Sequence, residues 1–122
     1  MTIDLTKLIT LLFIHWLFDF VLQTRNMANN KSKSNLALAY HVFIYFLGLF
    51  VFSAFNFYEN IVLGIAWTVV NAIAHFITDY GTSRLTSTLY QKNKIHAFFT
   101  VIGFDQFIHI STLCITYVIF NK

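Results

Sequence analysis

The chain of 122 residues holds five histidines and five acidic residues, and six of these ten fall into a repeated spacing. His15 stands four residues before Asp19, His75 four before Asp79, and Asp105 four before His109. A separation of four places two side chains on one helix face, one turn apart. Imidazole and carboxylate pairs presented this way, with partners on neighbouring helices, offer nitrogen and oxygen donors to a divalent cation. A fourth histidine, His41, stands near the start of an apolar stretch and adds one more donor. The candidate metal ligands are therefore His15, Asp19, His41, His75, Asp79, Asp105 and His109. This set suits one or two divalent ions, zinc first and manganese or iron next, in preference to calcium.

The elements that must carry these residues are strongly apolar. Hydrophobic residues make up 57% of the chain and charged residues 11%, against about 25% charged in a soluble domain. Mean hydropathy is +0.66. Four apolar stretches, at about 5–22, 36–57, 60–80 and 95–120, are each long enough to cross roughly 30 Å of hydrocarbon at about 1.5 Å per residue. The expected fold is all-α, one integral membrane domain over residues 1–122: a bundle of four transmembrane helices. Leu85, Leu89 and Tyr90 suggest a short interfacial helix between the third and fourth spans. The polar segment 23–35 reads as a loop. An apolar stretch follows Lys7 as in a secretory leader, but it carries His15 and Asp19 and lacks a small-residue cleavage pattern, so it reads as a retained span.

Positive charge gathers in two connections, Arg25, Lys31 and Lys33 in the first and Arg84, Lys92 and Lys94 in the third, while the second carries only Glu59. This pattern puts both basic loops in the cytoplasm and the termini outside, in a cytoplasmic (inner) membrane. The formal charge of +3 is explained by these membrane flanks, so nucleic acid is not an expected partner. The expected partners are the lipid bilayer, an amphiphilic or phosphorylated substrate, and other copies of the chain in a homo-oligomer. The single Cys114 lies in an apolar run and reads as a packing residue.

A carboxylate in the centre of a membrane helix costs roughly 2.5–3.5 kcal/mol even on a lenient insertion scale. Three of them, Asp19, Asp79 and Asp105, need compensation, and in an up-down bundle all seven candidate ligands fall toward one leaflet. Any single pair is as well explained by an interhelical hydrogen bond. The full set at one depth favours a cation. Gln23, Asn71 and Gln106 are placed by spacing to orient the ligands, and Lys31 and Arg84 to grip a phosphate at the mouth of the site. Gly48, Gly64 and Gly103 read as points of close helix approach, and His96 as an interface residue outside the pattern.

The runs HWLFDFVLQTRNMANNK (15–31), HVFIY (41–45), HFITDY (75–80) and DQFIH (105–109) resemble a family of small bacterial and phage membrane proteins, domain of unknown function 3307. A looser similarity links the chain to membrane-bound metal-dependent hydrolases, which place His and Asp on helices in a comparable way. The order of expectations is a metal-dependent hydrolase with Asp79 and Asp105 as its catalytic carboxylates, then a metal-stapled accessory protein, then a cation or proton transporter. No serine or cysteine has a clear base neighbour, which argues against a covalent intermediate.

Overall fold

The computed structural model describes residues 3–122, and these are all-α, with five helices and no strand among the described residues. Helix α1, Leu5–Trp16, starts where the Asp4 carboxylate accepts from the Thr6 and Lys7 amides at 2.9 and 3.2 Å. It runs directly into one π-helical turn, Leu17–Val21, closed by the Leu22 amide donating to the Leu17 carbonyl at 2.9 Å. Thr24 caps the short helix α2, Arg25–Asn30, and Ser34 caps α3, Asn35–Asn56. Asn60 caps α4, Ile61–Gln91, and α5 spans Ile95–Phe120. Each cap supplies a side-chain oxygen to an amide that has no partner within its own helix.

Three of these helices, α3, α4 and α5, are long and apolar enough to cross a membrane. The expectation of four spans is corrected on this point. The stretch at 5–22 folds as a 12-residue α-helix plus a π turn and is shorter than the other three. The interfacial helix expected around Leu85 to Tyr90 does not form as a separate element, because α4 continues unbroken to Gln91. Residues 80–91 hold no proline, and the single Gly81 does not interrupt the helix; Asn93, at φ 54°, makes the turn instead. Segment 23–35, expected as a loop, contains α2.

The outward faces are apolar: Phe55, Val62, Ile77, Phe99 and Phe107 are each 64–76% exposed. That surface suits lipid. At the end of the bundle holding the α3–α4 turn, Leu11, Tyr45, Leu49, Phe52, Phe57, Trp67, Leu113 and Tyr117 form a closed apolar core. Polar side chains stitch the long helices through it. Thr68 donates to Ser53 at 3.1 Å, and Trp67 Nε1 and Asn71 Nδ2 both donate to Thr116 Oγ1. Gly48 matters because a Cβ there would collide with the ring of Phe18, in the π turn. Its absence lets α3 and the π turn close on each other. A Cβ at Gly64 would press on Phe57, whereas at Gly103 it would meet nothing, so only the first two mark close approaches.

Candidate metal centre

Beyond the apolar core the helices bring a set of ionisable side chains together. Asp19 enters from the π turn, His41 from the second turn of α3, His75 and Asp79 from the middle of α4, and Asp105 and His109 from α5. Asp19, His41, His75 and Asp79 are each 3% exposed or less.

Two groups of donors can be distinguished, both able to hold a metal ion. In the first, His41 Nε2 and His75 Nε2 lie 3.1 Å apart. Asp19 Oδ1 is 3.1 Å from the His41 nitrogen and 3.4 Å from that of His75. Asp79 Oδ2 is 3.3 and 3.7 Å from the same two atoms. A tetrahedral ion with donors at about 2.0–2.1 Å holds those donors roughly 3.3–3.4 Å apart. The five separations scatter around that edge length. In the second group, His109 Nε2 is 3.0 Å from Asp79 Oδ1 and 3.3 Å from Asp105 Oδ2. Asp79 therefore belongs to both groups, one oxygen to each.

His15, expected among the ligands, stands outside both groups. Its Nε2 lies 2.8 Å from Gln106 Oε1 and its Nδ1 3.1 Å from the Tyr45 hydroxyl, while Asp19 is 3.9 Å away. His15 and Asp19 remain neighbours, their 3.9 Å separation close to the 3.7 Å of His75 and Asp79, but both ring nitrogens of His15 are engaged by Tyr45 and Gln106. Asp19 swings toward His41 and His75, and His15 toward α5.

The bonds around Gln106 admit one consistent proton assignment. Tyr45 O–H donates to His15 Nδ1, and His15 Nε2–H donates to Gln106 Oε1. The amide nitrogen of Gln106 donates at 3.1 Å to both Asp19 Oδ2 and Asp105 Oδ2. Thr82 donates to the other oxygen of Asp105. Every donor meets an acceptor with both carboxylates ionised, and one side chain ties together carboxylates from different helices. His75 is oriented by packing, stacked between Tyr45 at 4.0 Å and His109 at 4.1 Å between ring centroids. Among the described residues the Nδ1 atoms of His41 and His75 have no hydrogen-bond partner.

A cavity of about 630 Å³ opens onto this cluster, and Asp19, Asp79, Asp105 and Gln106 form its floor. Lys31 lines it and places its Nζ 2.8 Å from Asp79 Oδ2. Thr82, Ser83, Thr86 and Ser87 give α4 a hydroxyl wall, and Phe20, Phe98 and Ile102 add apolar surface. Gln23 also lines the cavity, its buried Oε1 unpartnered among the described residues.

Two further candidate residues lie away from the donors. Arg84 turns away from the cavity, stacking 3.7 Å over the Tyr80 ring and donating to Asn35 at 2.8 Å. Asn71 pairs with Thr116 and the Trp67 carbonyl, one turn nearer the apolar core, and touches no ligand. Tyr45 and Thr82 were not expected at the site. Tyr45 could have been found by its spacing, four residues after His41, but a tyrosine in a hydrophobic run reads first as core. Thr82 was hidden by the assumption that the third span ended at Tyr80. His96 is exposed at the head of α5, and Cys114 is a free, half-buried thiol.

No curated protein and no solved structure matches the chain. One family model does, over residues 7–122, nearly the whole length and all of the cluster. The chain belongs to the family described as protein of unknown function, DUF3307.

Proposed function

We propose that this protein is a membrane-embedded, metal-dependent hydrolase acting at the cytoplasmic face on a lipid-like or phosphorylated substrate. The observation that carries the metal reading is the set of donor separations of 3.1–3.7 Å among Asp19, His41, His75 and Asp79. Two facing imidazole nitrogens and two carboxylates, all buried, need a positive centre to offset their cost. Lys31 supplies one charge against the three of Asp19, Asp79 and Asp105, and one divalent ion balances the remainder. Mixed nitrogen and oxygen donors without thiolate fit zinc, manganese or iron.

The hydrolytic reading is supported by the cavity. A bound divalent ion lowers the pKa of its water to about 7 and polarises a phosphoryl oxygen. Asp105 lines the cavity with its carboxylate held by Thr82 and Gln106, which supports a role for it in accepting the proton of an attacking water. In such a reaction the water oxygen would bond to phosphorus as the ester P–O bond breaks, and the proton taken up by Asp105 would pass to the leaving alkoxide. Lys31, Phe20, Phe98 and Ile102 line the same cavity, a combination that suits an amphiphile with an anionic head. Lys31, Lys33, Lys92 and Lys94 lie in connections at the cavity end, which supports a cytoplasmic mouth. A transport path finds no support, since the closed core from Leu11 to Tyr117 fills the other half of the bundle.

A metal staple is the second reading, favoured by the near-complete burial of His41 and His75. The two are separated by measuring phosphate release from phosphatidic acid in mixed micelles, with and without chelator, for wild type and Asp79→Asn. Metal-dependent release that vanishes in the variant supports the hydrolase. Release indifferent to both treatments overturns it, and tightly bound metal without release leaves the staple.

A further inference from the structure

We infer that Asp79, Asp105 and His109 form a second cation site, unlike the first, and that Asp79 bridges the two. This rests on the metal reading above and deepens it. The two oxygens of Asp79 are already divided between the groups, Oδ2 facing His41 and His75 and Oδ1 lying 3.0 Å from His109. A carboxylate shared in this way is how paired ions are held about 3.5–4 Å apart in two-metal hydrolytic centres.

The sites differ in what they leave open. The first has four protein donors, enough to close a tetrahedral ion. The second has three, so at least one position falls to water or substrate, the arrangement typical of catalytic rather than structural ions. It also lies nearer solvent: the Asp105 side chain is 13% exposed, against 4% for Asp19 and 2% for Asp79. Ser83 stands one turn beyond Asp79 on α4 and lines the same cavity, 8% exposed and with its hydroxyl unpartnered among the described residues.

Charge assigns the sites different occupants. Lys31 and the first ion together neutralise the three carboxylates. A second divalent ion leaves two positive charges, which hydroxide or the dianion of a phosphate monoester offsets. The first ion is thus part of the folded protein, and the second exchanges through the cavity and comes with its anion.

The test is equilibrium dialysis of the detergent-solubilised full chain against Mn²⁺ and, separately, Zn²⁺, followed by elemental analysis. Wild type is compared with His109→Gln and Asp105→Asn, and Mn²⁺-loaded samples are read by electron paramagnetic resonance. Wild type is expected to hold two ions, one roughly tenfold or more weaker than the other, with a spin-coupled signal at two equivalents. Either variant keeps the tight ion and loses the weak one together with the coupling. One ion in wild type, undisturbed by either substitution, overturns the second site and leaves the first intact. Loss of both ions in both variants, with the helical circular dichroism retained, overturns the inequivalence. Absence of any bound ion defeats the metal reading itself. Should His109→Gln fail to fold, the near-isosteric Asp105→Asn and the wild-type coupling decide the matter.

Discussion

Replacing Gln106 by leucine isolates the network from the ligands, because Gln106 itself belongs to neither donor group. The substitution removes the acceptor for His15 and the shared donor to Asp19 and Asp105. Hydrogen bonds to ionised groups contribute about 1.5–3 kcal/mol each, so the two carboxylate bonds together are worth roughly 3–6 kcal/mol. Leucine fills a similar volume and recovers about 1–2 kcal/mol by burial, and water reaching Asp105 recovers a little more. The net loss should be about 1–4 kcal/mol in the metal-free protein. Metal affinity should fall roughly 10- to 100-fold, the usual effect of losing a residue that orients a ligand. Thermal melting in detergent, with and without metal, and competition against a chromophoric chelator measure both. A variant with unchanged melting and unchanged affinity would refute the claim that Gln106 couples Asp19 to Asp105.

Two further predictions follow from the same geometry. His41→Ala should abolish tight metal binding, whereas His15→Asn should retain it, weakened by no more than about tenfold, because His15 acts only through Gln106; equal loss in both would restore His15 to the ligands. Gly48→Ala should destabilise the protein by about 1–3 kcal/mol, the usual cost of overpacking, since the new methyl meets the Phe18 ring. A melting curve matching wild type would contradict the tight seating of the π turn.

Much of this centre can be read from spacing alone, and the exceptions share physical causes. Six of the seven expected ligands fall into the two groups because His75 with Asp79 and Asp105 with His109 lie on uninterrupted α-helices, where residues four apart stay in register. The seventh, His15, lies 3.9 Å from Asp19 but has its two ring nitrogens taken by Tyr45 and Gln106, partners from other helices that spacing along one helix does not announce. The boundaries of the spans were read from hydropathy, which falls after Tyr80, yet the threonine- and serine-bearing stretch beyond it stays helical and builds the cavity wall. Hydropathy reports the solvent around a helix rather than where the helix ends. Lys31 was expected at the mouth and lies against Asp79, while Arg84, equal to it on charge and topology, is drawn off by Tyr80 and Asn35. Such a choice between two cations depends on side-chain reach in three dimensions.

X-ray absorption at the zinc edge, on detergent-purified protein loaded with one equivalent, addresses the cluster most directly. A shell of nitrogen and oxygen at about 2.0–2.1 Å, with outer scattering from two imidazoles that is lost in His75→Ala, is the expected result. A sulfur shell near 2.3 Å, which would implicate Cys114, or zinc that washes away from the folded protein, would contradict a cation held by Asp19, His41, His75 and Asp79.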